Sequence, residues 1–186
     1  MTVIAEPTQR ITLRAIAYKI RELSGDTDKL FFPIVPFIEH KMPHFFSGFH
    51  LEIMPNDYFP PNIHGETAIE ERVIRIREDI YHRAIRGFGR DRMTLAHEVG
   101  HYILLVAKGL KLYRSFKETD IEAFRDPEWQ AKALAGELLC PFHLIKGMAV
   151  PQIASACGVS DIAAQYHFNL RNPTVRGFST SSPYLN

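Results

Sequence analysis

Apolar residues recur at helical spacing over residues 8–24. Ile11, Ala15, Ile16, Ile20 and Leu23 alternate there with Arg14, Lys19, Arg21 and Glu22, which predicts a packing helix stopped by Gly25. Residues 31–48 are aromatic and proline-rich, a pattern that wraps a core but interrupts regular structure; only 38–42 reads as a short helical piece. Phe49 to Met54 alternates and predicts a strand, broken by Pro55-Asn56-Asp57 and Pro60-Pro61-Asn62. Arg72 to Arg77 alternates more clearly, with Ile74 and Ile76 toward the core and Arg75 and Arg77 toward solvent. Gly65 to Ile69 reads as a further strand or a turn. The expected sheet is small, about three-stranded and mostly antiparallel. Asp79 is the expected cap of a helix through Arg86, closed by Gly87-Phe88-Gly89.

The second half is more strongly helical. An apolar run follows Asp91, its expected N-cap, and lasts to Val106, with Gly109 beyond its end. Thr94, His97, His101 and Leu104 share one face of that helix, and Leu95, Val99, Tyr102 and Val106 share another. Gly100 has no side chain and permits a neighbouring helix to come close. Residues 111–125 read as a loop with a short helix. Asp126 as N-cap and Pro127 at the first helical position then start a helix that ends before Cys140-Pro141. Residues 151–171 read as two short helices around Gly158, the second capped by Ser160, and 172–186 as a flexible tail. The expected fold is α+β and mainly helical, one domain over 1–171 with the helix pair packed on it.

Composition narrows the function classes. The 186 residues carry 22 basic and 21 acidic side chains, so no charge block suggests a nucleic-acid tail or a polybasic membrane anchor. Two cysteines are too few for a disulfide framework. No signal peptide is visible at Met1 to Pro7, and no apolar run approaches the ~20 residues of a membrane span. The expected compartment is the cytoplasm.

The candidate chemistry lies in His97-Glu98-Val99-Gly100-His101. Residues four apart lie on one face of a helix, so both imidazoles reach one Zn²⁺ at about 2.0–2.1 Å. Glu98 is one step round, placed to take a proton from the attacking water rather than to ligate. The bland reading is a helix with two surface histidines; a third ligand from another element would separate the two. Glu118, Glu122, Glu128, Glu137 and His143 are candidates. Glu128 shares a face with Ala131, Ala135 and Leu138, small enough to pack on the His97 helix. Glu137 is out of phase with that face at 3.6 residues per turn. Glu122, with Asp126 four residues later, remains the rival.

At this point Met93-Thr94-Leu95-Ala96-His97-Glu98-Val99-Gly100-His101-Tyr102, followed by Glu128-x-x-Ala131-x-x-x-Ala135-x-Glu137-Leu138-Leu139-Cys140-Pro141, closely resembles the ImmA/IrrE metallopeptidase family, gluzincin-like proteins of bacteria and phages. The resemblance covers roughly residues 10–170. It implies that His97, His101 and Glu128 bind zinc, that Glu98 is the general base, and that helices surround a small sheet. Cys140 stands where the family often has Met, which points to packing. The family's members commonly cleave or inactivate a helix-turn-helix repressor, so the resemblance implies a regulatory zinc endopeptidase acting on a separate repressor or antitoxin-like protein in phage, mobile-element or stress control.

Two other classes compete. A zinc-containing regulator that binds its partner without cutting it would use the same ligands and dispense with Glu98. A DNA-binding regulator would use 154–163, which has helix-turn-helix flavour, but from Met148 to Arg171 the only full charges are Asp161 and Arg171. That is poor material for the phosphate contacts that dominate DNA affinity, so no direct nucleic-acid or membrane partner is expected. His143 and His167, or Tyr113 and Tyr166 as oxyanion donors, are further candidates for the site.

Overall fold

The chain opens in a short strand, β1 (Thr2–Ala5), that pairs antiparallel with β5 (Leu112–Ser115), placing Ala5 opposite Leu112. A computed structural model describes residues 2–107, 109, 112–115 and 122–172. The sequence pattern foreshadowed neither strand, because both are too short to show alternation and each exists only through the other.

Helix α1 (Arg10–Ser24) ends at Gly25, whose φ of 78° is the left-handed turn expected there. Its buried face, however, is Leu13, Ala17, Ile20 and Arg21, while Ile11 and Leu23 of the predicted stripe are 62% and 57% exposed. The phase is set by charged residues that point inward: Arg14 Nε donates to the buried Glu137 carboxylate at 2.8 Å, and Arg21 donates to the carbonyl of Leu138 at 2.8 Å. Residues 34–45 then form one helical run of α2 (Ile34–Pro36), a π-helical turn (Phe37–Lys41) and α3 (Met42–Phe45), longer than the piece expected at 38–42. Pro43 does not break it, since it sits in the first turn of α3, where a missing N–H costs least. Phe32, Ile34, Ile38 and Met42 are fully buried, so the segment does wrap the core.

The main sheet contains β2 (His50–Met54), β3 (Gly65–Ala68) and β4 (Val73–Arg77) in the order β2-β4-β3. The fold class is α+β. The sheet is mixed: β4 runs parallel to β2 and antiparallel to β3. Alternation in a strand carries no direction; the chain passes from β2 to β3 across the place that β4 later fills. Arg72, at φ 56°, helps close the turn from β3 to β4. Ile74 and Ile76 are buried, as their spacing predicted, and Arg75 binds Glu52, Glu66 and Glu71 across the three strands' outer face.

Helix α4 (Glu78–Ile85) starts directly after β4 with Arg77 at its N-cap. Asp79, expected as the cap, lies instead in the first turn and pairs with Arg77 and Arg83, which hold its carboxyl down at about 2. Helix α5 (Gly89–Tyr102) likewise starts two residues before Asp91, which is buried and bound by Arg83. It continues through a π-helical turn, Ile103–Ala107. Leu95, Ala96, Val99 and Tyr102 are fully buried beneath it. Buried Arg92 donates to the carbonyls of Gly158 at 2.8 Å and Phe32 at 2.9 Å, tying α5 to the C-terminal helices.

A 3-10 turn (Ala123–Arg125) leads into α6 (Pro127–Leu139). It packs tightly on α5 because Gly100 is a glycine: a Cβ there would meet the Ala131 carbonyl oxygen at 2.7 Å. Helices α7 (Val150–Cys157) and α8 (Asp161–Arg171) flank Gly158, and Ser160 caps α8 through the Ala163 N–H. They bury Ile153, Cys157, Ala163 and Ala164, and Cys140 and Cys157 are free and buried. The tail from 173 onward lies outside the described residues. Among the described residues no helix is long and apolar enough to cross a membrane.

Candidate metal centre

Helix α5 carries His97 and His101 one turn apart on its cleft side, and α6 supplies Glu128 from its own first turn. Asp126 sets that start: its carboxylate accepts from the Glu128 N–H at 2.9 Å, and Pro127 fixes the first helical residue. The three donors converge. His97 Nε2 lies 3.0 Å from His101 Nε2, and the two Glu128 oxygens lie 3.3 Å from His97 Nε2 and from His101 Nε2. Tetrahedral zinc bonds of about 2.0–2.2 Å would separate ligand atoms by about 3.3–3.6 Å, so the donor set fits such an ion with little movement. Two imidazoles and one carboxylate also leave the fourth position for water.

The charges fit as well. Burial opposes a proton on His101, but the Glu128 carboxylate outweighs it, helped by Glu98 and Asp126, and the histidine's affinity for a proton rises. Hydrogen bonds from His101 and His97 hold the Glu128 carboxyl well below the usual carboxylate range. The carboxylate is thus held as an anion against the two rings, the state in which it can ligate a cation. Glu98 does not join this group. It is 7% exposed, and Thr67 Oγ1 donates to its Oε2 at 2.8 Å. Strand β3 can lie this close because Gly65 is a glycine: a Cβ would come 3.0 Å from the Arg75 carbonyl and 3.3 Å from Glu98 Cγ.

The centre opens into a cleft of about 920 Å³ between β3, α5 and the start of α6, with Val3, Ile63 and Ile162 on its rim. These rim residues are all more than two-fifths exposed. Among the described residues β3 is an edge strand of the main sheet, whereas β4 is bonded on both sides. The Arg77 N–H donates to the His64 carbonyl, and His64 and Arg77 are directly opposite in the register. Alternation along an antiparallel pair therefore points the backbone N–H and C=O of Gly65 and Thr67 away from β4, toward the free edge. His64 also lines the cleft; burial, then Arg77 and Arg90, lowers its affinity for a proton.

No family model matches the chain, and no curated protein matches it. Among solved structures it resembles a Mycobacterium tuberculosis transcriptional regulator, with 16% sequence identity and a TM-score of 0.56. The match covers 89% of this chain and 49% of that one, so this chain spans about half of the regulator's length. At this identity the likeness speaks to the fold alone.

The remaining nominated residues lie elsewhere. Glu122 is exposed and pairs with Arg125 at 3.4 Å, apart from the histidines. Glu137 is buried beneath α1 in its pairs with Arg10 and Arg14. His143 donates to the Thr27 carbonyl and lies edge-on to Tyr18. His167 is fully buried, pushed down to about 4 by that burial, and the Tyr166 hydroxyl accepts from Arg10. Glu118 and the Tyr113 side chain lie outside the described residues. Thr67 and His64 were not among the residues singled out for the site; nothing in their local sequence marks them, since only the register of β3 brings them to it.

Proposed function

We propose that this chain is a zinc-dependent endopeptidase of regulatory type, with His97, His101 and Glu128 as ligands and Glu98 as general base. The observation that carries the reading is the convergence of one donor atom from each of three side chains, all within 4.8 Å, beside a cleft in which a buried carboxylate stands ready. Zinc, when bound, supplies a Lewis acid that polarises the scissile carbonyl and acidifies the attacking water. Glu98 takes the proton from that water and delivers it to the leaving amine nitrogen. The free edge of β3 holds the substrate extended, pairing with the outward backbone groups of Gly65 and Thr67. The likeness of the two motifs to the ImmA/IrrE family supports a cytoplasmic helix-turn-helix repressor or antitoxin-like protein as the substrate.

A second reading is a zinc-containing regulator that binds its partner without cutting it. The name of the Mycobacterium tuberculosis structure, a transcriptional regulator, favours it, and the same three ligands would serve. Metal analysis of the purified chain should find about one zinc, lost in His97→Ala. Glu98→Gln should keep the zinc and abolish cleavage of a co-expressed candidate repressor. Unchanged biological activity in Glu98→Gln would favour the binding reading, and a metal-free native protein would sink both.

A further inference from the structure

We propose that Thr67 is a positioning residue for Glu98, and that it links the seating of a peptide on β3 to the alignment of the base. The inference rests on the proteolytic reading above. Glu98 has three side-chain torsions, the last of them soft, and a general base works only within hydrogen-bond reach of the proton it takes. The Thr67 hydroxyl removes that freedom. Its one proton is shared between Glu98 Oε2 at 2.8 Å and the Glu98 backbone carbonyl at 3.1 Å, the carboxylate being the closer and stronger acceptor. Oε2 is thereby committed. Glu98 lines the cleft, so with Oε2 taken by Thr67 its Oε1 is the oxygen assigned to the reacting water.

The link to the substrate follows from the strand. Thr67 presents its own N–H and C=O to the free edge of β3, the groups that an added strand would bond. A peptide paired there steadies the backbone of the residue whose hydroxyl steers Glu98. Gly65, two residues earlier, lets the strand lie so close to α5 that a Cβ there would come 3.3 Å from Glu98 Cγ.

The test uses the full chain loaded with Co²⁺, whose visible absorption reports on its ligands, and acetohydroxamic acid as the probe, since a chelating hydroxamate offers a proton to the neighbouring carboxylate. Thr67→Val keeps the shape and loses the donor; Thr67→Ser keeps the donor; Thr67→Ala stands in should the valine variant fail to fold. All should bind about one Co²⁺ with the parent's affinity. Thr67→Ser should bind the hydroxamate within about twofold of the parent, and Thr67→Val roughly tenfold more weakly. In a Glu98→Gln background Thr67→Val should have no further effect. Hydroxamate affinity equal to the parent in Thr67→Val, an equal loss in Thr67→Ser, or the same loss in the Glu98→Gln background would each overturn the inference while leaving the metal centre standing. Failure of the parent to take up Co²⁺ would overturn the proposed function and this inference with it.

Discussion

Replacing Gly100 by Ala tests whether the packing of two helices sets the proposed metal centre. A methyl at position 100 would lie 2.7 Å from the Ala131 carbonyl oxygen, 3.1 Å from its Cα and 3.3 Å from its carbonyl carbon. All three are backbone atoms, so no rotamer change relieves the contact. An ordinary carbon–oxygen approach is about 3.3–3.6 Å, so α6 must retreat by roughly 0.6 Å or more. Ala131 stands one turn after Glu128 on the same helix, so the retreat carries the carboxylate with it. Metal sites tolerate about ±0.2 Å in their ligand distances, and zinc affinity should fall at least tenfold. Stability receives two opposed contributions: Ala favours the helix over Gly by about 1 kcal/mol, and overpacking costs about 1–3 kcal/mol. Chelator competition reads the first effect and urea denaturation of the metal-free protein the second. An alanine variant with the parent's zinc affinity and a metal-free form stabilised by about 1 kcal/mol would refute the reasoning, because only the intrinsic helix preference would then be at work.

Two further outcomes follow from groups outside the centre. Glu137→Ala should cost about 2–4 kcal/mol in urea denaturation, since it strips Arg10 and Arg14 of a fully buried partner while leaving zinc uptake in place; a cost under about 0.5 kcal/mol would mark the pairs as energetically idle. His167, buried and held neutral at about 4 against 6.5 for the free side chain, contributes stability that is complete above 6.5 and is lost as pH falls from 6.5 to about 4, because the unfolded chain binds the proton first. The loss should approach roughly 3 kcal/mol. Denaturation midpoints at pH 7 and 4.5 should therefore diverge more for the parent than for His167→Leu, and equal shifts would remove His167 from the account.

Much of the centre was legible because its parts are local. His97, Glu98 and His101 need only one turn of helix, and Asp126-Pro127 announces the start of the next helix through the chemistry of its first N–H groups. Glu128 could be favoured over Glu122 because it sits on that well-signalled helix start, and Gly100 could be read as a place of close approach from its missing side chain. What escaped depends on distant pairing. Nothing near Thr67 in the chain shows that its hydroxyl reaches Glu98, and β1 and β5 are strands only in each other's company. The inward face of α1 was misread because Arg14 and Arg21, which a polarity pattern sends to solvent, find a buried carboxylate and a helix-end carbonyl. The direction of β4 relative to β2 was invisible for a simpler reason: side-chain alternation is the same in parallel and antiparallel strands.

The dependence of α1 on α6 has a consequence for how the molecule is made. Arg14 and its partner Glu137 are 123 residues apart, and α1 packs chiefly on α6. At about 5–20 residues per second of synthesis, the amino-terminal helix waits roughly 6–25 s for the surface that covers Leu13 and Ala17. The histidine pair emerges during that interval without its carboxylate. One late helix then buries the start of the chain and brings Glu128 to the histidines, so a nascent chain that stops short of α6 has neither a finished core nor a complete set of donors.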